Sequence, residues 1–362
     1  MMLDDYISLQ HDDIVVICYT PEAREAAAYV SAALIPRGII ARLTWMHALR
    51  DPGFEDRLTE LLPVTLGLSR LVVLTFELDT MSHTDLMRRV VKRYPAHRCM
   101  VVRAIGAGPD LFAQALKVAP QSLTARNAAI LNRTMEASCL HIETRSGSSL
   151  DVILDNDRYR WISNRGAWRP GTFVVIPAGE VATFPLSIGG VLVGDFAFHI
   201  NTITDLDVRL DQAPVSIFIE DSNAVDISCD DRVVRDYLWK QLAVANGTRV
   251  GELGFGTNFG VTQSVMQNSH VNERVPGVHI GFGQHNQGAV GGYFCPVHLD
   301  VIAFGGLIWV DDDPEPIDLQ ALELRGEAHP SRYFEEDVLA PNSKDIFDDC
   351  CGTLDCMPVQ GT

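Results

Sequence analysis

The pattern of apolar residues changes near residue 135, and this change limits the possible folds more than any other feature of the sequence. Before it, continuous apolar runs such as "DIVVICYT" and "RLVVLTFE" alternate with amphipathic helical patterns such as "HTDLMRRVVKRY". This alternation predicts a mostly parallel sheet covered by helices on both faces. We therefore expect a doubly wound α/β domain over residues 1–135. No G-x-G-x-x-G follows its first strand, so the sequence does not support a dinucleotide site.

After residue 136 the apolar runs become short and are separated by Gly, Pro, Asn and Asp. Examples are "GTFVVIPAGEVATFP", "GVLVGDFAFHI" and "DVRLDQAPVSIFIED". Such runs predict antiparallel strands, and the pattern of "DDRVVRDYLWKQLAV" predicts one helix among them. We expect a mostly antiparallel β (α+β) metal-binding domain over residues 136–335, followed by an acidic, cysteine-containing tail over residues 336–362.

Composition excludes some classes of partner. The 362 residues are 47% hydrophobic and 21% charged, as in ordinary globular proteins, and the formal net charge is −18. This negative charge disfavours binding to nucleic acid or to an anionic membrane. No apolar run has the length of a membrane span, and the N-terminus carries acidic rather than basic residues, so we expect a cytoplasmic protein. The charge does not identify a substrate.

The tail sequence "DDCCGTLDC" contains Cys350, Cys351 and Cys356 among carboxylates. These thiols could bind a soft metal, but adjacent cysteines do not have zinc-finger spacing. We expect a mobile, solvated tail outside the catalytic machinery.

Residues with metal-ligand chemistry concentrate in the second predicted domain. His298 and Asp300 are two positions apart in the apolar run "PVHLDVIAF", so they share one face of a strand. Glu180, Glu252 and His279 lie beside glycines in "IPAGEVATFP", "GELGFG" and "VPGVHIGFG". Carboxylates and imidazoles of this kind suit Zn, Mn, Co or Fe(II). Each could alternatively have a structural role, with Glu180 and Glu252 in exposed turns.

Other polar residues near these segments allow more than one interpretation. We predict that Glu273 in "NSHVNERVPG" is an exposed turn residue. We predict that His270 and His285 are surface groups or groups that contact a metal ligand. In the first domain, His83 follows a predicted parallel strand, where ligand-facing loops occur, and could reach a cleft between the domains as a catalytic group. The alternative is a helix N-cap at Ser82 or Thr84 with His83 exposed.

The segments that contain Glu180, Glu252, His279, His298 and Asp300, together with "TMSHTDLMRR", resemble the M29 leucyl aminopeptidases of the aminopeptidase T/S group. The resemblance implies that these residues bind a pair of divalent ions, Zn, Mn or Co, which activate a water molecule for hydrolysis of a peptide or amide bond. It also implies a homodimer, and a small molecule or short peptide as the substrate. A carboxylate not needed as a ligand, such as Glu252, could take the proton of the water. The sequence departs from the family at Asn286, which stands in place of a tyrosine, and Glu273 is a candidate for a further family glutamate; both could contact a metal ligand.

The blocks "HIGFG" and "PVHLDV" are also similar to those of 2,5-dihydroxypyridine 5,6-dioxygenases. That resemblance implies a single Fe(II) held by His279, His298 and Asp300. Two differences favour the hydrolase: Glu180 is present where those dioxygenases have an apolar residue, and Val175 occupies the position of a catalytic histidine. A non-catalytic relative that acts as a binding protein is a third hypothesis.

Overall fold

The computed structural model describes residues 1–78, 81–287, 292–326 and 328–331, and the backbone of residues 338–339. The thiols of Cys350, Cys351 and Cys356, and all but two residues of the predicted tail, lie outside these ranges. No helix within the described residues combines the length and the apolar character needed to span a membrane.

The first part of the chain forms a five-stranded parallel sheet in the order β2-β1-β3-β4-β8. Strands β1 and β3, "IVVICY" and "LVVLTF", are buried in their centres because helices cover both faces of the sheet. The strands are β1 Ile14–Tyr19, β2 Arg42–Trp45, β3 Leu71–Phe76, β4 Cys99–Ala104 and β8 Phe173–Ile176, and the helices are α1 Arg24–Leu34, α2 Phe54–Leu61, α3 Thr84–Arg93, α4 Pro109–Ala113 and α5 Pro120–Thr134.

The fifth strand of this sheet comes from beyond the predicted domain boundary. Val101 to Ala104 of β4 pair in parallel with Phe173 to Ile176 of β8. The chain thus returns to the first sheet after three strands of the second region, β5, β6 and β7, have formed. The fold class is confirmed, whereas the boundary at residue 135 stays a prediction.

Two seven-stranded antiparallel sheets make up the rest. One has the order β13-β12-β10-β6-β5-β17-β18; the other, called here the site sheet, has the order β11-β16-β15-β14-β9-β7-β19. The strands are β5 Cys139–Glu143, β6 Ser149–Ile153, β7 Trp161–Asn164, β9 Glu180–Thr183, β10 Ser187–Gly194, β11 Ala197–Ile200, β12 Val215–Glu220, β13 Asn223–Ser228, β14 Val250–Gly256, β15 Gly277–Gly283, β16 His298–Phe304, β17 Leu307–Val310, β18 Ile317–Asp318 and β19 Val338–Leu339.

The predicted helix of this region is present as α6, Arg232–Leu242. The Asp231 side chain caps it by accepting hydrogen bonds from the backbone N–H groups of Val233 and Val234. Short 3₁₀ helices occupy Pro21–Ala23, Ile35–Arg37, Ala96–Arg98, Ala115–Lys117 and Asn272–Arg274, and a π-helical turn occupies Met2–Tyr6. The turn Asn272–Arg274 contributes two side chains to the site sheet.

Candidate metal centre

One face of the site sheet carries the candidate ligands. Glu252 on β14 lies opposite Gly281 on β15, Gly281 opposite Asp300 on β16, and Asp300 opposite His199 on β11. Directly opposite residues of an antiparallel sheet point to the same face. His279 and His298 share this face because they lie two positions from Gly281 and Asp300.

Glycines on the same face provide the space for these side chains. A Cβ atom at Gly254 would lie 2.0 Å from Nε2 of His279, which is opposite it in the sheet. A Cβ atom at Gly281 would lie 2.8 Å from Oδ1 of Asp300. The alternation in "GELGFG" and "GVHIGFG" therefore separates a face of ligands and glycines from a face of apolar side chains such as Phe255.

The polar side chains form a ring in which acids and bases alternate. Its loosest link is between Glu252 and His298, whose candidate donor atoms lie within 4.8 Å of each other. His279 Nε2 lies 3.2 Å from Glu180 Oε1 and 3.5 Å from Glu252 Oε1. His298 Nε2 is 3.1 Å from Asp300 Oδ2, and His199 Nδ1 is 3.8 Å from that same oxygen. His199 Nδ1 also contacts Glu273 Oε1. Arg274 closes the ring, because its Nη1 is 3.1 Å from Glu273 Oε2 and 2.5 Å from Glu180 Oε1.

Three groups of side chains within this centre have the spacing of metal ligands. In each group, the candidate donor atoms lie within 4.8 Å of one another and the residues are buried. We call them the first, second and third triads: Glu180, Glu252 and His279; Glu252, His298 and Asp300; and His199, His270 and Glu273. The first and second triads share Glu252.

Negative charge exceeds fixed positive charge in the centre. Four carboxylates, those of Glu180, Glu252, Glu273 and Asp300, face one guanidinium, so three negative charges are unbalanced when the imidazoles are neutral. A buried charge without compensation is costly. Protons on the histidines or divalent cations have to supply the missing positive charge.

Burial and neighbouring charges shift the pKa values of the first triad in different directions. Burial raises the pKa of Glu252 to about 7, against the opposing effect of His279. Burial also acts on Glu180, but the positive charge of Arg274 outweighs it and lowers the pKa of this carboxyl. Burial disfavours the cation of His279, yet the carboxylates of Glu180 and Glu252 raise its pKa to about 10. Metal binding to such imidazoles has to displace protons.

The second triad is arranged for ligation by Nε2 of His298. The Nδ1–H of His298 donates a hydrogen bond to the backbone carbonyl of Gln284 at 2.7 Å. Because Nδ1 is held in this bond, Nε2, on the side of Asp300, is the nitrogen that can release its proton to bind a metal. Burial opposes charge on both groups, but their mutual attraction raises the pKa of His298 and lowers that of Asp300.

The centre fits a divalent metal. Glu252 Oε2, both side-chain oxygens of Asp300 and both ring nitrogens of His279 are buried and lack a well-aligned hydrogen-bond partner among the described residues. Buried polar atoms without such partners are uncommon in proteins, and a bound ion or water is what usually supplies the missing partner. Imidazole and carboxylate together suit Zn, Mn, Co or Fe(II).

The structure brings all five predicted ligands together, and corrects the predictions for their neighbours. Glu180 and Glu252 are each 2% exposed, which excludes exposed turns. Glu273, read as an exposed turn residue, is 5% exposed and belongs to the third triad, because the turn Asn272–Arg274 folds against the site sheet. The prediction that His270 and His285 lie at the surface is also wrong, since both side chains are buried.

Two residues predicted to lie beside the centre, His285 and Asn286, form hydrogen bonds with nearby protein groups. His285 hydrogen-bonds through Nε2 to the Tyr293 carbonyl, and its Nδ1 accepts from the Gln287 N–H, so both ring nitrogens are engaged. The Asn286 Oδ1 accepts a hydrogen bond from the Gln287 side chain. The role of Asn286 beside the metal stays a prediction. The neighbouring segment 288–291 lies outside the described residues.

His83 contacts the parallel-sheet part of the chain. Its Nε2 is 2.8 Å from the His47 carbonyl and its ring packs on Phe54. It occupies the N-cap position of α3 in a left-handed conformation, but no side chain caps this helix; the Ser82 hydroxyl instead accepts from the Leu49 N–H. The predicted N-cap at Ser82 or Thr84 is therefore wrong, and a catalytic role for His83 stays a prediction.

The sequence analysis did not identify two members of the ring, His199 and Arg274, as site residues. His199 interrupts the apolar strand "AFHI" in the same way that Asp300 interrupts its own strand, and this was a usable signal. Arg274 gives no such signal, because its neighbours in the sequence are ordinary turn residues. Its importance arises from the fold, which buries it between Glu180 and Glu273.

Comparison with known structures supports the shared fold. The chain is similar to 2,5-dihydroxypyridine dioxygenase from Pseudomonas putida KT2440, with 16% identity, coverage of 87% of this chain and 94% of that chain, and a TM-score of 0.59. It is also similar to wild-type AmpT from Thermus thermophilus, with 15% identity, coverage of 87% and 95%, and a TM-score of 0.52. At sequence identities this low, the similarity establishes the fold alone and no activity.

A family model described as "Crocagin biosynthetic protein CgnE/B" matches residues 200–303. The matched segment includes Glu252, His279, His298 and Asp300, but it begins after Glu180 and His199. This family is unrelated to the M29 peptidases. The resemblance to those peptidases is therefore supported at the level of the fold alone. No curated protein sequence matches the chain.

Proposed function

We propose that this chain is a metal-dependent hydrolase that cleaves a peptide or amide bond from the amino end of a small substrate. The observation that supports this most is the sharing of Glu252 by two triads. One carboxylate between two sets of donors suits a pair of divalent ions. In such a pair, bound ions lower the pKa of a water molecule and polarise the scissile carbonyl.

In this proposal the protein groups have separate roles. Glu180 and His279 bind on one side of Glu252, and His298 and Asp300 on the other. Glu252 would take the proton of the attacking water only through an oxygen that no ion binds; the candidate is its Oε2 atom, which has no hydrogen-bond partner among the described residues. Arg274 keeps Glu180 ionised and fixes its position, because its Nε donates a hydrogen bond to the Pro177 carbonyl.

The test uses metal-free protein reloaded with Zn²⁺, Mn²⁺ or Co²⁺ and assayed on aminoacyl anilides and short peptides with free amino ends. Glu180→Gln keeps the shape of the side chain but removes its charge, so we expect kcat/KM to fall by about 100-fold or more. Glu220→Gln is the matched control, because Glu220 is an exposed glutamate at the end of β12. Hydrolysis by Glu180→Gln at the rate of the parent would contradict the proposal.

A mononuclear Fe(II) dioxygenase is the second candidate. The contact between Arg274 and Glu180 favours it, because the guanidinium competes with a metal for this carboxylate and the Fe(II) site does not need Glu180. The division of His279 from His298 and Asp300 into different triads favours the hydrolase. If Fe(II)-loaded Glu180→Gln retains its iron and consumes oxygen with a dihydroxypyridine, the second candidate is correct.

A further inference from the structure

The third triad lies outside the five residues predicted to bind metal. His199 is on β11, His270 precedes the turn Asn272–Arg274, and Glu273 is within that turn. The three side chains are 2%, 4% and 5% exposed. The imidazole rings of His199 and His270 have centroids 3.9 Å apart, and the Glu273 carboxylate contacts Nδ1 of His199.

The contact between His199 and Glu273 accounts for only part of this arrangement. Nε2 of His199 and Nδ1 of His270 have no hydrogen-bond partner among the described residues. A buried polar atom without a partner destabilises the folded protein. Two imidazoles and a carboxylate that converge in this way are typical of a metal site.

We propose that His199, His270 and Glu273 bind a divalent first-row cation, in addition to the ions assigned to the two triads that share Glu252. Two histidines and one carboxylate form the ligand set of many Zn and non-haem Fe(II) sites. Three protein donors leave coordination positions for water or another small ligand. The donors of this site are separate from the first and second triads, so only the expected number of ions bound before it rests on the proposed function.

An acidic cavity is lined by the residue that precedes His270 in the chain. Ser269, which precedes His270, lines a cavity of about 250 Å³. Glu22, Glu25 and Asp110 line the same cavity, and their negative charges attract cations.

Charge predicts the order in which the sites fill. With divalent ions in the first and second triads, the four carboxylates face four charges from metal and one from Arg274. Nη1 of Arg274 is also only 3.1 Å from Oε2 of Glu273. A further cation enters against net positive charge, so we expect the third triad to bind more weakly and to fill last.

The experiment is equilibrium dialysis of the metal-free full-length chain against increasing Co²⁺, with cobalt counted per chain and visible absorption recorded. We expect wild type to reach about two ions and then about three as free Co²⁺ rises. His270→Ala should lose only the last step. His329→Ala is the matched control, because His329 is a partly buried histidine whose Nε2 contacts the Ser163 hydroxyl.

Glu273→Gln provides a second test if His270→Ala does not fold, because it preserves the shape of the side chain. Loss of the last cobalt step in either folded variant supports the proposal, even if the protein hydrolyses no amide. Unchanged cobalt binding in folded His270→Ala or Glu273→Gln overturns it, as does a wild-type titration without a last step. In that case protons, rather than a metal, balance Glu273 and its neighbours.

Discussion

The backbone carbonyl of Gln284 determines which nitrogen of His298 is available for metal. Because Nδ1 donates a hydrogen bond to this carbonyl, Nε2 is the nitrogen that can release its proton and bind an ion beside Asp300. A histidine held in this way loses little freedom when it binds an ion. We therefore regard His298 as the most strongly preorganised candidate ligand.

Replacement of His298 by alanine should leave a folded chain that no longer gains stability from metal. A ligand that binds only the native state at 100 times its Kd stabilises it by about 2.7 kcal/mol, and wild type should show a shift of this kind with Zn²⁺ or Co²⁺. His285→Ala is the control, because the ring nitrogens of His285 are engaged by Tyr293 and Gln287. The measurement is thermal unfolding with and without metal; an equal shift in His298→Ala would remove His298 from the ligands.

Residue types and spacing were sufficient to single out five residues that the structure brings together, because each is a polar residue among glycines or in an apolar strand. Their binding of metal stays a prediction. Residue types and spacing could not place Glu273 and His270, whose local sequence, "NSHVNERVPG", is that of an ordinary exposed loop. Only the packing of this loop against β11 and β14 buries them. Long-range contacts of this kind leave no periodic pattern in the sequence.

At the scale of secondary structure, glycines in neighbouring strands make the metal centre possible. In β14 and β15, glycines occupy positions where an ordinary side chain would fill the space of a ligand. Glycine weakens a strand, so its repeated use on this face indicates a site where other groups approach closely.

Gly254→Ala tests this role. The added methyl group would lie 2.0 Å from Nε2 of His279, so the imidazole must move and metal affinity should fall by at least 10-fold. Gly189→Ala is the matched control, because this glycine of β10 has an ordinary 3.6 Å contact at the same position. Calorimetric titration with Zn²⁺ measures the difference; equal affinities in the two variants would show that the glycine is not needed.

At the scale of the whole molecule, the change from helix-covered parallel strands to antiparallel strands was readable from the sequence. The return of β8 to the parallel sheet was not, because "FVVI" is equally suited to either sheet and its partner β4 is about 70 residues earlier in the chain. Homodimer formation and the exclusion of nucleic acid and membrane stay predictions, based on resemblance and on the net charge of −18.

The most direct test of the account is the metal content of Glu252→Gln. Glu252 is the carboxylate shared by the first and second triads, so its replacement should impair both positions at once. At free Zn²⁺ concentrations too low to fill the third triad, we predict about two ions per wild-type chain and fewer than about one per Glu252→Gln chain. Equal metal content in folded wild type and Glu252→Gln would contradict the shared metal centre.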